Sequence, residues 1–281
     1  MGTLYLVATP IGNLEDLSPR AVRTLGEARL IAAEDTRVTR KLLTHFDLHT
    51  PLTSYFEHNK LTKLDAILAA LAEGDVALVS DAGTPAINDP GYELVKAALK
   101  AGYNVCPIPG PSAPLAALAA SGLPTEAFLY LGYLPRKSSG RLAFLRQVEN
   151  LPYTLVLLES PHRLLAALKD LESGLGDRQM AVARELTKLH EQIWRGNLSA
   201  AREYFMQNEP RGEFTLVLAG KAKLNKQKWS EGKLLIAIKF GLKLGESPAA
   251  LAKRVAQESG WKRREVYNLL QSKQEIKEEF K

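Results

Sequence analysis

The sequence predicts an α/β protein made of two α/β domains, the first with a mostly parallel sheet and the second with a mixed one, followed by a small helical C-terminal segment. Three observations carry that expectation. Short apolar runs alternate with helical patterns through residue 122, the pattern of a parallel sheet covered by helices. From residue 123 five further strand-like runs appear, with helical stretches between them. Residues 226–281 read as helical and hold 13 Lys/Arg against 7 Asp/Glu, whereas residues 1–225 balance at 24 and 24.

In the first segment LYLVAT (4–9) and RLIAAED (29–35) read as buried strands, PLTSY (51–55) as a short one and DVALVSD (75–81) as another. Between them, LTKLDAILAALAEG places Leu64, Ile67, Leu68 and Leu71 at helical spacing and stops at a glycine. GYELVKAALKAG is a helix ending at Gly102, followed by the strand NVCPIPG and the helix SAPLAALAASG. After the linker LPTEA (123–127) come the strands FLYLGYLP, TLVLLES, QMAVARELT, EQIWRG and GEFTLVLAG, with helices over 138–150, 161–174 and 198–207. Residues 222–230 are polar and lysine-rich, the pattern of a second linker. The expected domains are therefore 1–122, 123–225 and 226–281. In the last, Ser247 and Pro248 start a helix that Gly260 stops, and WKRREVYNLLQ forms the next, with Val266, Leu269 and Leu270 on its apolar face.

Composition excludes several classes. With 281 residues, 46% hydrophobic and 24% charged, the chain is neither disordered nor collagen-like. A single cysteine, Cys106, excludes an internal disulfide and a cysteine-rich zinc site. No apolar run reaches the roughly 18–20 residues that span a bilayer, and MGTLYLVATPIGNL has no basic region ahead of its apolar stretch. A cytoplasmic protein with no membrane association is expected. The net charge of +6 resides in the C-terminal segment and suggests an acidic partner, most simply nucleic acid, or else a solvated tail. Lys262, Arg263 and Arg264, opening the last helix, suit a small nucleic-acid-binding unit or a dimer-stabilising tail.

Ligands of open α/β sheets bind at the carboxyl ends of strands, and the loops there are the least ordinary stretches of this chain: TPIGN (9–13), EDTR (34–37), SDAGTPAINDPG (80–91) and PIPGPSA (107–113). Gly83 permits close backbone approach, while Pro85 and Pro90 stiffen the loop. Ser80, Asp81 and Thr84 offer side-chain hydrogen bonds. Two such loops in one domain point to a preformed cleft. The chain lacks both G-x-G-x-x-G and G-x-x-x-x-G-K-[ST], and its five histidines (45, 49, 58, 162, 190) form no metal-binding spacing. A nucleoside-like cofactor without a polyphosphate fits such a cleft.

GTLYLVATPIGNLEDLSPRA, AEDTR, SDAGTPAINDPG, PIPGPSA, ESPHR and ARELTKLHE, in this order and spacing, closely resemble the bacterial 16S ribosomal RNA cytidine 2′-O-ribose methyltransferase family of the tetrapyrrole-methylase superfamily. The resemblance covers nearly the whole chain. It implies two α/β domains with S-adenosyl-L-methionine between them, a homodimer, and methylation of a cytidine ribose in the decoding region of 16S ribosomal RNA, in the assembled small ribosomal subunit. It also implies that the cofactor is held by Thr9, Pro10 and Ile11; by Ser80, Asp81, Ala82, Gly83 and Thr84 with Ile87; by Ser112 and Ala113; and by Leu158, Phe214 and Thr215 of the second domain. Phe56 stands where the family commonly has histidine, and Leu158 where it commonly has tyrosine.

Methyl transfer to a ribose hydroxyl benefits from a nearby base, by about 10²–10⁴-fold. The candidates are Glu34, Asp35, His58 and Glu185. Asp35 equally suits a helix cap, and Glu185 an ion-pair network with Arg184 and Lys188. Arg37, and the group Arg136, Lys137 and Arg141 after a second-domain strand, suit RNA phosphates. Two other readings compete: a methylase of a tetrapyrrole or other small molecule, and a ribosome assembly factor that does no chemistry.

Overall fold

The computed structural model describes residues 2–222 and 228–278, and the side chains up to Gln271. Two compact units divide after Lys221. The boundary expected between Asn225 and Lys226 lies outside the described residues.

The first sheet consists of β1 (Thr3–Val7), β2 (Leu30–Ala33), β3 (Leu52–Ser54), β4 (Val76–Val79) and β5 (Asn104–Ile108), in the order β3-β2-β4-β1-β5 and parallel throughout. Its strands are continuous apolar runs because both faces are covered. On one face Val7, Ile31, Ala33, Ala77 and Val79 meet Leu25 of α1 (Pro19–Glu27) and Leu42 and Leu43 of α2 (Thr36–His45). On the other, Leu4, Ala32, Val76 and Leu78 meet Ile67 and Leu71 of α3 (Lys60–Glu73) and Leu94 of α4 (Tyr92–Lys100). The alternation along β4, Val76 and Leu78 to one side and Ala77 and Val79 to the other, is the period-two rule of a strand. β1 and β4 are adjacent, yet α1 and α4, which follow them, leave to opposite faces. That divergence opens a crevice at the strand ends.

The second sheet has the order β6-β7-β10-β8-β9: β6 (Phe128–Tyr133), β7 (Thr154–Glu159), β8 (Gln179–Arg184), β9 (Gln192–Asn197) and β10 (Phe214–Leu218). Only β6 and β7 run parallel; the other pairings are antiparallel, so the sheet is mixed. One face packs on α6 (Ser138–Val148), α7 (Leu164–Leu175) and α8 (Leu198–Gln207). The other face receives α5 (Ala113–Ala120): Ala117 and Leu118 join Ile11 against Val156, Ala181 and Val217. The helix that follows the first sheet is thus part of the core of the second, and both sheets belong to one compact unit.

Arg141 requires a correction to its expected place on RNA. It is buried, bonded through Nε to Asp170 Oδ2 at 2.7 Å and through Nη1 to the Arg136 carbonyl at 2.8 Å. Ser138 Oγ donates to the other Asp170 oxygen at 3.0 Å. The basic group after β6 therefore reduces to the exposed Arg136 and Lys137, and Arg141 ties α6 to α7.

Among the described residues the second unit contains three helices, not the two expected: α9 (Glu231–Lys243), α10 (Pro248–Ser259) and α11 (Arg263–Glu278). Leu234, Ile238, Leu251, Val255, Val266 and Leu270 form its core. Part of the expected second linker is structural here. Ser230 caps α9 by accepting from Lys233 N, and the Trp229 carbonyl accepts from Trp261 Nε1 at 2.8 Å. Gly241 lies within α9 because α10 crosses there: a Cβ would meet Leu251 Cδ1 at 2.2 Å. Ser247, Pro248 and the left-handed Gly260 (φ 71°) bound α10 as the sequence predicts. Lys262, Arg263 and Arg264 are exposed at the start of α11.

Asp170→Ala leaves Arg141 buried without its counter-charge and is expected to lower stability by about 3–5 kcal/mol, read by urea denaturation. An Arg141 free to hold RNA would leave stability nearly unchanged.

Candidate functional site

A bridge between the ends of β1 and β4 organises the crevice. Thr9 N donates to the Gly83 carbonyl at 2.9 Å and Gly83 N to the Thr9 carbonyl at 3.0 Å. Thr9 Oγ1 adds a bond to the Ser80 carbonyl at 3.1 Å. Gly83 has φ +83°, a left-handed conformation that suits glycine, while Ala86 (φ 68°) and Asn88 (φ 64°) adopt it without being glycines. Strain of this kind is held by surrounding contacts and is a mark of functional loops.

Those contacts come from the second sheet. A bulge in β6 between Tyr130 and Gly132 gives Gly132 φ +61°, and a Cβ there would lie 2.3 Å from Asn88 Nδ2. The Asn88 side chain thus sits where only glycine leaves room. Likewise a Cβ on Gly12 would lie 2.4 Å from Lys188 Cγ, so the loop after β1 is seated on the turn after β8.

Between these contacts lies a cleft of about 320 Å³. The first sheet's side contributes Ile11, Glu34, the 81–84 stretch, Ile87, Asn88 and Asp89; the start of α5 contributes Ser112, Ala113 and Pro114. The second sheet contributes Tyr130, Tyr133, Leu158, Glu159, Glu213, Phe214 and Thr215. Among the residues expected around the cofactor, Ile11, Asp81, Ala82, Gly83, Thr84, Ile87, Ser112, Ala113, Leu158, Phe214 and Thr215 are brought together here. Thr9, Pro10 and Ser80 instead line a second cavity, which shares Asp81 with the first. Ser112 occupies the N-cap position of α5 without a side-chain cap bond.

The charged residues lining the cleft are all acidic, Glu34, Asp81, Asp89, Glu159 and Glu213, of which Glu159 is buried and paired with Arg163 at 3.2 Å. Burial, with the charges of Glu34 and Asp81 beside it, pushes the Asp89 carboxyl up to about 6 against a hydrogen bond from Ser80. Burial also raises Glu34 and Asp81, which brace each other's strands. Glu34 Oε2 accepts from Asp81 N at 3.2 Å, and Asp81 Oδ1 accepts from Asp35 N at 3.0 Å. Burial pushes Tyr130 to about 12 and raises Glu159, whose Oε2 is buried with no hydrogen-bond partner. Its other oxygen accepts from Ser160 N at 2.9 Å and meets Arg163 Nε at 3.2 Å, which ties this buried carboxylate into the turn after β7.

The candidate bases separate on geometry. Glu34 lines the cleft. Asp35 caps α2 by accepting from Arg37 N at 2.8 Å and clasps the Arg37 guanidinium at 2.6–3.1 Å, which holds its carboxyl down at about 2. Glu185 accepts from Lys188 Nζ and from Glu213 N, both at 2.9 Å. Burial raises its carboxyl, but these donors outweigh burial and lower it. His58 lines neither cavity and stacks edge-on with Phe56, at 6.2 Å between centroids. The sequence reading passed over Asp89 although it quoted the loop that contains it. Tyr130, Tyr133 and Glu213 were missed as well. For the carboxylates the available signal was their position at or just beyond a strand end facing the crevice.

Among the described residues no cluster of His, Cys, Asp and Glu is arranged to hold a metal, and no helix is long and apolar enough to cross a membrane. The cleft suits a cationic nucleoside. Carboxylates attract it, Ile87 and Leu158 offer apolar surface, and no Lys or Arg lines the cleft to bind a polyphosphate. Gly132→Ala is expected to cost about 1–3 kcal/mol through strain and the clash with Asn88. Asn88→Ala in the same chain is expected to restore part of that loss in a denaturation double-mutant cycle.

Residues 3–202 match the family model of tetrapyrrole (corrin/porphyrin) methylases. A protein of Synechocystis sp. named ribosomal RNA small subunit methyltransferase I is 49% identical over 271 residues, covering 96% of this chain and 97% of its own length. A protein of the same name from Halalkalibacterium halodurans is 47% identical, covering 95% and 94%. In structure, the uroporphyrin-III C-methyltransferase of Thermus thermophilus superposes with a TM-score of 0.55 at 22% identity, over 77% of this chain and 94% of that one, a likeness of fold. This chain belongs to the tetrapyrrole methylase family and, within it, to the ribosomal RNA small subunit methyltransferase I family.

Proposed function

We propose that the protein transfers a methyl group from S-adenosylmethionine to the 2′-hydroxyl of a cytidine ribose in the decoding region of 16S ribosomal RNA. The observation that carries the reading is the preformed cleft whose charged walls are carboxylates only. The relatives' name supplies the substrate class, the RNA of the small subunit. The assembled small subunit as substrate, a homodimer as the working assembly and a cytoplasmic setting complete the reading.

When bound, S-adenosylmethionine supplies a methyl group on a positively charged sulfur. The chain's own residues hold, orient and shield. Leu158 and Ile87 give the apolar surface for the adenosine, and Thr84, Ser112 and Thr215 lie within the lining as hydroxyl partners. The cost of holding Glu34 and Asp89 half-buried, with Asp81 nearby, is offset when a cation enters between them. The remaining chemical task is to take the proton from the ribose hydroxyl. Asp89 is the best placed base: its carboxyl lines the cleft, is ionised at neutral pH, and is more basic than an ordinary aspartate. Glu34 shapes its field from the end of β2. Asp35, held down by Arg37, is a weak base and a helix cap. Arg136, Lys137 and the Lys262–Arg264 group remain the candidates for RNA phosphates, being exposed and basic.

Incubation with methyl-labelled S-adenosylmethionine and small subunits from cells lacking this protein tests the reading. Ribose-linked label on one decoding-region cytidine is expected. Cofactor binding without label on ribosomal RNA would favour a small-molecule methylase, and neither cofactor binding nor label would favour an assembly factor. Because Asp89 must be ionised to accept a proton, kcat/KM is expected to rise with pH up to about 6 and level off above it. Asp89→Asn is expected to remove that limb and to lower the plateau by about 10²–10⁴-fold. An unchanged profile would place the base elsewhere.

A further inference from the structure

We propose that Tyr133, at the open edge of the cleft, is the platform on which the base of the methylated nucleoside stacks, with the flanking phosphates on Arg136 and Lys137. The proposal rests on the RNA methyltransferase reading above and assigns the acceptor's place within it.

Three residues stand in register across the second sheet and line the cleft: Thr215 on β10, Leu158 on β7 and Tyr133 on β6. Residues in register on adjacent strands share a face of the sheet. Along this row exposure rises from the buried Thr215, through the half-buried Leu158, to Tyr133 at 55%. Because β6 is an edge strand, the cleft opens at Tyr133. A cofactor seated on the inner residues leaves this ring as the face that meets a ligand arriving from outside. Bases of unstacked RNA are held in this way, on an aromatic side chain.

The acceptor hydroxyl must also reach Asp89, and the geometry allows it. Asn88 is seated against Gly132, where a Cβ would lie 2.3 Å from Asn88 Nδ2, so the next residue of each chain segment, Asp89 and Tyr133, is brought to the same part of the cleft. Burial raises the Tyr133 hydroxyl, and the charges of Glu213 and Asp89 add to it. Adenosine surface, base and platform thus line a single cavity, as two reactants held for direct transfer require.

A nucleoside is uncharged and can enter beside carboxylates, but the phosphates on either side of it are repelled. The same edge provides for them. Arg136 and Lys137 are exposed and follow Tyr133 by three and four residues. Their turn is braced from beneath. Arg163 Nη2 donates to the Leu134 carbonyl at 2.5 Å, and Arg141 Nη1 to the Arg136 carbonyl at 2.8 Å. Each guanidinium is itself anchored, Arg163 on Glu159 and Arg141 on Asp170. A stacking face and two phosphate ligands on one preorganised turn make the combination that binds single-stranded RNA.

Tyr133→Ala removes the ring and Tyr133→Phe keeps it; the residue is exposed, so neither substitution opens the core. Methylation of small subunits from cells lacking the protein, and S-adenosylhomocysteine affinity by calorimetry, would be measured for both beside the unsubstituted protein. Tyr133→Ala is expected to lose at least about tenfold in kcat/KM for the subunit and less than about threefold in S-adenosylhomocysteine affinity. Tyr133→Phe is expected to recover most of the lost kcat/KM. Arg136→Ala with Lys137→Ala is expected to flatten the fall of log kcat/KM with log salt by about 1–2 in slope. Undiminished methylation by Tyr133→Ala would overturn the proposal, and so would an unchanged salt slope. Equal losses in Tyr133→Ala and Tyr133→Phe would overturn it by assigning the role to the hydroxyl. A matching loss of S-adenosylhomocysteine affinity in Tyr133→Ala would overturn it by making the ring part of the cofactor site. If the unsubstituted protein labels no ribosomal RNA while binding S-adenosylhomocysteine, the underlying reading fails and the proposal falls with it.

Discussion

The paired hydrogen bonds between Thr9 and Gly83 join two loops that the sheet's topology would otherwise send apart, since α1 and α4 leave the adjacent strands β1 and β4 toward opposite faces. A crevice at such a point is a general property of open parallel sheets. Here two cavities open beside the bridge and share Asp81. Gly83 holds the left-handed conformation (φ +83°) that suits glycine at this crossing of the two loops. Asn88, seated on the bulge at Gly132, carries the same loop across to the second sheet. The strained residues Ala86 and Asn88 are therefore held from both sides.

Electrostatics follow from that enclosure. Carboxylates that would be ordinary on a surface are brought together with little water, and burial raises Glu34, Asp81, Asp89 and Glu159. Each pays desolvation that a positively charged ligand can return. The contrast with Asp35 is instructive. One residue from Glu34, it turns to Arg37 and the start of α2 and is held at about 2. A single peptide step thus separates a cleft carboxylate from a helix cap.

Much of the architecture was legible because it is local. The apolar runs gave the ten strands in order, Ser247-Pro248 and Gly260 gave the bounds of α10, and the loops 80–91 and 107–113 advertised a cleft through glycine and proline. What escaped depends on partners distant in sequence. Arg141 looked like a phosphate ligand until Asp170, 29 residues on, was seen to bury it. Thr9 and Pro10 sit beside Ile11 in sequence but line the second cavity in space. Asp89 reads as a turn residue before a proline, and only its burial, with the charges of Glu34 and Asp81 nearby, makes it basic. The helix α9 was hidden by Gly241, whose reason is the close crossing of Leu251.

If the carboxylate walls exist to hold a cation, charge alone should separate two nearly identical ligands. Calorimetric affinities of S-adenosylmethionine and of uncharged-sulfur S-adenosylhomocysteine, measured from pH 5 to 8, test this directly. The sulfonium compound is expected to bind more tightly by about tenfold at pH 8, with the advantage shrinking as the pH falls through about 6 and Asp89 takes up a proton. Equal affinities at every pH, or tighter binding of S-adenosylhomocysteine, would contradict the account.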